Sequence, residues 1–224
     1  MIENSLRRRV FAEWFGTAAL LAVVVGSGQM GEALSPGNTA VALLANSIAT
    51  ALGLWVLIEL LAPVSGAHFN PIVSATFALR RELPVWDACA YMAAQFVGAI
   101  CGVWLAHLMF DLSIYQTGVR VRDGLGQFTS ETTASAGLIV TILVARAARP
   151  LLVPAMVAAY IGCAYWFTAS TSFANPAVTV ARAFTATFAG IRLADVPLFL
   201  AGQLTGALLA FGIAFALLNQ KSDA

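Results

Sequence analysis

Six stretches of the chain are each long and apolar enough to cross a lipid bilayer: Val10–Met30, Ala40–Ala62, Val85–Met109, Glu131–Ala148, Leu151–Phe167 and Val196–Asn219. A helix that crosses a hydrocarbon core of about 30 Å needs about 20 mostly apolar residues. The composition leaves no soluble alternative. Hydrophobic residues make up 60% of the chain and charged ones 10%, where a soluble domain carries about 25% charged residues. A soluble core of this size cannot hide so much apolar surface. Soluble enzymes and disordered proteins are thereby excluded, and a net charge of +1 without a basic stripe excludes nucleic acid as a partner. Cys89, Cys101 and Cys163 all lie in apolar stretches and read as small buried hydrophobes, not as a disulfide or metal set. The expectation is an all-α integral membrane protein, residues 1–224 forming one domain.

Basic residues set the expected orientation. With six spans both termini share a side, which collects Arg7, Arg8, Arg9, Arg80, Arg81, Arg146, Arg149 and Lys221. The opposite side holds Arg120, Arg122, Arg182 and Arg192. The excess predicts cytoplasmic termini in a multi-pass protein of the cell's inner membrane. Val10–Met30 is long for a signal sequence, contains Glu13 and lacks a small-residue cleavage site, so it reads as an uncleaved first span. The longest polar connection, Asp111–Ser130 on the outer side, reads as a mouth-lining loop or a passive connector.

Two further apolar pieces, Asn70–Leu79 and Asn175–Phe184, are too short to span. Each opens with Asn-Pro, the pattern of an N-cap followed by proline in the first helical turn. They read as re-entrant half-helices, which membranes tolerate only where the backbone packs in protein or lines a wet cavity.

Three landmarks recur in the same order. Glu13-Trp-Phe-Gly16-Thr17 pairs with Glu131-Thr-Thr-Ala134-Ser135. Ser65-Gly-Ala-His-Phe-Asn70-Pro71 pairs with Ser170-Thr-Ser-Phe-Ala-Asn175-Pro176, and Gln95-Phe-Val-Gly98-Ala99 with Gln203-Leu-Thr-Gly206-Ala207. The repeats are residues 10–109 and 131–219. Each holds three spans, so the second copy is inverted across the membrane, and such repeats place a shared site near the midplane. The two half-helices are expected to meet there, N-terminus to N-terminus, presenting unpaired N–H groups and partial positive charge. Cations are repelled by that arrangement, while the carboxamides of Asn70 and Asn175, held by Pro71 and Pro176, can donate hydrogen bonds to the oxygen of a passing neutral molecule.

These residues together resemble the aquaporin and aquaglyceroporin (major intrinsic protein) family over essentially the whole chain. The resemblance implies a right-handed bundle of six tilted helices with two half-helices, one pore per chain and assembly as a homotetramer. It also implies a pore midplane at Asn70, Pro71, Ile72, Asn175, Pro176 and Ala177. Carrying the family's outer filter over by its spacing from the two asparagines gives Thr50, Cys163 (or Gly162 if the alignment slips by one), Ser172 and Val178.

Two departures from the family pattern matter. Ile72 stands where an alanine is usual, and Val178 where members normally place the filter arginine. The set contains neither the aromatic nor the histidine of a strict water channel. Smaller and less polar residues imply a wider outer pore that admits glycerol, urea or neutral metalloid hydroxides. Loss of the arginine removes a full charge, worth about 4 kcal/mol at about 4 Å even at an effective dielectric of about 20. Aquaglyceroporins encoded beside bacterial arsenic-resistance genes resemble the chain in having valine there, which implies passage of uncharged arsenite. Arg182, one helical turn further on, reads chiefly as an outward-facing or helix-packing arginine, with a direct filter role as the lesser alternative.

Glu13 and Glu131 sit inside spans, where an ionisable group is costly and needs a reason. The family resemblance implies that each braces a half-helix loop by accepting backbone N–H groups. His68, two residues before Asn70, is placed in the inner pore, and Glu59 has no counterpart in the second repeat. No metal site is expected, since His107 is the only other histidine and no acidic set accompanies the pair. No cofactor motif and no nucleophile–base pair appears, so the chain is not expected to be an enzyme. The expected function is a passive channel for water and small uncharged solutes. The alternatives are a secondary transporter with alternating access, or a structural membrane protein with a closed pore.

Overall fold

The computed structural model of the chain describes residues 5–218. Among the described residues there are six long apolar helices, two short ones and no strand. The long helices are α1 (Leu6–Leu34), α2 (Thr39–Ser65), α4 (Val85–Met109), α5 (Leu125–Ala148), α6 (Val153–Phe167) and α8 (Val196–Leu218). The short ones are α3 (Pro71–Leu79) and α7 (Pro176–Arg182). The nine residues of α3 rise about 14 Å and the seven of α7 about 10 Å. Neither can cross a bilayer.

Helix starts follow local chemistry. The Ser5 hydroxyl accepts from the Arg8 N–H and the Asn38 side chain from the Val41 N–H, each closing one orphan donor of the first turn. α2 ends on Gly66 in the left-handed conformation, φ +91°. The short helices start at Asn-Pro, with the asparagine oxygen bonded to the backbone of its own first turn.

Several boundaries differ from the sequence expectation. α1 extends past Val10–Met30 at both ends, because hydrogen-bonded backbone does not stop where apolar residues stop; Arg9 continues the helix and pairs with Asp87 of α4 at 2.7 Å. α5 begins at Leu125 and not at Glu131, since Gly124 at φ +92° turns the chain into the helix and the polar first turn faces the loop before α7. α6 is preceded by a 3-10 turn over Pro150–Leu152, and α7 stops at Arg182. The far end of the sixth expected span, Asn219, and the basic residue Lys221 lie outside the described residues.

Packing is inside-out relative to a soluble protein. Phe11, Leu52, Leu60, Leu208 and Phe215 are exposed on the perimeter, while Glu13, Gln95, Glu131 and Gln203 are fully buried. An apolar perimeter of this kind matches lipid and not water. Cys89 and Cys163 are exposed and Cys101 is half-buried. The expectation that all three are buried is therefore corrected: an apolar residue in a span faces lipid as readily as protein.

The most extensive helix pairs are α1 with α4 and α5 with α8. Their close approach rests on glycine. A Cβ at Gly98 would collide with the Trp14 carbonyl oxygen, and one at Gly206 with the Thr132 carbonyl oxygen. Small residues let membrane helices approach in this way.

Candidate functional site

The two short helices meet tip to tip. Asn70 Nδ2 donates to the Ala174 carbonyl at 2.8 Å, and Asn175 Nδ2 donates to the Phe69 carbonyl at 2.8 Å. Each asparagine thus reaches across to the residue preceding the other. The Asn70 Oδ1 atom accepts from the Ile72 N–H, and the Asn175 Oδ1 atom from the Ala177 and Val178 N–H groups. A primary amide has two N–H donors. One is used in this lock, and the second remains for a molecule alongside.

The approach to each tip is bent and buttressed. Ala67 and Phe69 before α3 have φ +50° and +49°, and Ser172 and Ala174 before α7 have φ +49° and +46°. Left-handed backbone costs about 1–2 kcal/mol at a residue bearing a side chain. Buried carboxylates offset that strain. Glu13 accepts from the His68 N–H at 2.9 Å and the Phe69 N–H at 2.7 Å. Glu131 accepts from the Phe173 and Ala174 N–H groups, both at 2.9 Å. Behind them, Gln95 Nε2 links Glu13 to Ser74 of α3, and Gln203 Nε2 links Glu131 to Thr179 of α7. Each glutamate is therefore bonded both to its loop and, through a glutamine, to its half-helix.

A cavity of about 760 Å³ runs past both tips. At one end it touches Arg9, Glu82 and Arg146; at the other it touches Arg182. His68 lies on its wall, shares a hydrogen bond with Ser74 Oγ at 3.1 Å and stacks on Phe77 with centroids 4.7 Å apart. Asn70, Asn175, Thr50, Ser172 and Val178 are also on the wall.

Cys163 is not. It faces the perimeter, and the α6 residues on the wall are Val153, Pro154, Val157, Ile161 and Tyr165, whose hydroxyl donates to Thr50 Oγ1 at 3.2 Å. Cys163 stands about 200° around the helix from Ile161, at about 100° per residue. Gly162, the other candidate, packs toward Ala51 of α2 instead. The midplane set is corrected in the same way. Pro71, Ile72, Pro176 and Ala177 form the first helical turns but pack behind the wall, and Val73 and Val178 reach it. Ile72 is buried in the apolar core and does not constrict the cavity. Sequence reasoning also missed Leu20 and Val24 of α1 and Leu138 and Ile142 of α5. Each pair stands seven and eleven residues after the span glutamate, a helical period that could have revealed them.

The outer loop over 110–124 is more than the passive connector that the sequence allowed. It folds onto the far end of α7: the Gly118 N–H donates to the Ala183 carbonyl at 2.7 Å and the Arg192 N–H to the Arg120 carbonyl at 2.8 Å. Arg122 is drawn inward, its Nε bonded to the Gly190 carbonyl and its Nη1 to the Ser170 carbonyl. Burial, with Arg120 close by, lowers its pKa to about 10, and it stays cationic at neutral pH. Arg182 is 2% exposed, which removes the outward-facing alternative and leaves the helix-packing and wall ones. At the opposite end, partial burial pushes the Glu82 carboxyl up, but the Arg146 and Arg80 guanidinium groups hold it below the usual carboxylate range.

Glu59 is an exposed residue at the cavity edge, accepting from Trp55 Nε1 at 3.3 Å. His107 is buried between the Ile114 carbonyl and the Thr185 hydroxyl. Among the described residues no group of His, Cys, Asp or Glu is placed to hold a metal ion.

Comparison with known proteins points the same way. Residues 2–172 match the family described as Major intrinsic protein. An aquaglyceroporin from Rhizobium meliloti (strain 1021), AqpS, is 52% identical over 213 residues, covering 95% of this chain and 91% of that protein. Aquaporin-2 from Rattus norvegicus is 33% identical over 135 residues, 60% of this chain and 45% of the relative. The X-ray structure of the aquaglyceroporin from Plasmodium falciparum superposes with a TM-score of 0.69, covering 93% of this chain and 95% of that one; at 19% identity this is a likeness of fold. With a family match over three quarters of its length and a relative 52% identical over 95% of it, the chain belongs to the major intrinsic protein family of membrane channels.

Proposed function

We propose that the chain is a passive, uncoupled conduit for water and small uncharged solutes of the size of glycerol, urea and neutral metalloid hydroxides such as arsenite. One observation carries the reading: the reciprocal bonds between Asn70, Asn175 and the carbonyls before them, formed inside a single cavity that runs past both tips. The lock leaves one N–H of each amide for a solute oxygen and offers no carboxylate at the midplane. Both half-helices point electropositive ends at that level, which disfavours cations.

The wall nearest the second tip, made by Thr50, Tyr165, Ser172 and Val178, carries hydroxyls and one isopropyl group and supports solutes wider than water. Tyr165 makes it narrower than a cysteine at that level would. The name of the Rhizobium relative supports glycerol-sized cargo. We place the chain in the inner membrane with both termini in the cytoplasm, as two inverted repeats assembled as a homotetramer. The apolar perimeter and the excess of arginine near the Arg9–Arg146 end support that placement.

A coupled transporter is less well supported, because Glu13 and Glu131 are already engaged by loop amides and are not on the cavity wall, while Glu59 is exposed at its edge, away from the tips. Proteoliposome swelling in water, glycerol, urea and arsenite gradients tests the proposal. Flux linear in concentration and a low activation energy are expected. Saturation at low solute together with dependence on an ion gradient would replace the channel with a transporter, and vesicles no more permeable than lipid alone would mean a closed structural protein.

A further inference from the structure

Position 178 is valine, yet the cavity is not without a fixed cation at that end. Arg182 sits one helical turn further along α7 and on its wall. Nε donates to the Ala189 carbonyl, and the guanidinium carbon lies 3.4 Å from the centroid of the Phe173 ring. These two contacts hold the group flat and in one place. Nη1 is enclosed and has no hydrogen-bond partner in the protein. No carboxylate lies within ion-pair distance of Arg182 among the described residues. Arginine does not lose its proton in a protein, so this is an unneutralised charge on the conduit wall.

The first half of the molecule shows that the position is a wall position and not an accident of packing. Phe77 stands as far after Asn70 as Arg182 does after Asn175, and it too lines the cavity. His68 and Phe173 are likewise matched, two residues before each asparagine. One end therefore stacks His68 on Phe77, and the other stacks Arg182 on Phe173. The cation near Phe77 is Arg146, 4.4 Å from the ring centroid, and that one is paired with Glu82. Glu59, the unpaired charge toward that end, is exposed at the cavity edge, whereas Arg182 is a buried charge with no ionic partner among the described residues.

We propose that Arg182 is the residue that selects by charge in this conduit: a guanidinium displaced one turn outward from position 178, which excludes cations of the same size as the neutral solutes that pass. The proposal rests on the channel reading above. By moving the charge outward from the level of Thr50, Tyr165, Ser172 and Val178, the chain separates charge rejection from pore width. A low-dielectric wall focuses the field of such a charge along the path.

Urea and the guanidinium ion are planar, nearly equal in size and differ by one charge, so they isolate the effect. Water, urea and guanidinium fluxes would be measured in proteoliposomes of the full chain and its variants. The wild-type chain is expected to pass water and urea and to exclude guanidinium. Arg182→Met and Arg182→Gln, which fill similar volume without charge, should raise guanidinium flux by about tenfold or more with water flux retained. Arg182→Lys keeps the charge and should keep guanidinium out. Continued exclusion of guanidinium by water-permeable Met or Gln variants would overturn the proposal, since the half-helix tips alone would then suffice. Water flux lost in both neutral variants but kept with lysine would also overturn it, because Arg182 would then serve the fold. So would a wild-type chain that passes water but not urea, where size does the selecting. Wild-type vesicles closed even to water would instead remove the channel reading, and this proposal with it.

Discussion

The tip of α3 and the tip of α7 are built on one plan and finished differently. Both have an asparagine cap locked to the opposite carbonyl, a left-handed approach and a glutamate–glutamine brace behind. Away from the tips the likeness ends. The α3 side closes with an exposed ion network in which Glu82 meets both Arg80 and Arg146. The α7 side closes with two buried arginines, Arg122 and Arg182, neither of them in an ion pair among the described residues. The meeting of the tips must be geometrically equivalent on both sides. The far ends of the half-helices are free to differ in charge, and that asymmetry gives the conduit two distinct mouths.

The largest effects should come from removing a brace. Glu13→Gln and Glu131→Gln each set an amide donor against backbone N–H donors that have no other partner. Each is expected to lower stability by on the order of 2–4 kcal/mol, read as a lower melting temperature in detergent together with lost water flux. Equal losses would uphold the equivalence of the tips; a harmless change at either one would break it.

Next come the caps. Asn70→Asp and Asn175→Asp lose the donor that bonds the opposite carbonyl and place a carboxylate where the helix ends are positive. Cation conductance in planar bilayers is expected to appear for both, and recordings without current would separate cation exclusion from the tips altogether. A smaller change in selectivity is expected from the matched wall residues. Val73→Arg and Val178→Arg should cut glycerol flux by about tenfold, on the scale of 1.4 kcal/mol, while reducing water flux less. Unchanged glycerol swelling in the Val178 variant would move the narrowest level elsewhere.

Smallest of all is Glu82→Gln. Its pairs are half exposed, and such pairs contribute about 0–1 kcal/mol. The sign with pH is fixed: a carboxyl held below its ordinary value stabilises fully above the unfolded-state pKa, and the contribution fades as pH falls through the lower folded-state value. Melting scans of wild type and variant should therefore differ slightly near neutrality and converge in acid.

Much of the fold was legible along the chain. Span length marks a crossing, Asn-Pro marks the start of a half-helix, and a glutamate in an apolar run asks for donors; all three signals are local. The site was less so. Thr50 was read from spacing and lies on the cavity wall, but the same rule applied to α6 chose Cys163, which faces outward. Apolar residues surround α6 on every side, so no amphipathic stripe reveals which face turns inward. The loop over 110–124 was equally opaque, because its partners Ala183 and Arg192 are far away in sequence.

By itself, then, the order of residues determined how many helices cross, which two stop halfway, and that asparagine and glutamate would stand at their tips. These depend on the length of an apolar run and on the chemistry within one or two turns. Only the tertiary structure decided that Ile161 and Tyr165 face the cavity, that Ile72 does not, and that Arg182 is folded inward against Phe173. Rotation about a helix axis costs nothing until a neighbour is in contact, so that choice belongs to the packed bundle.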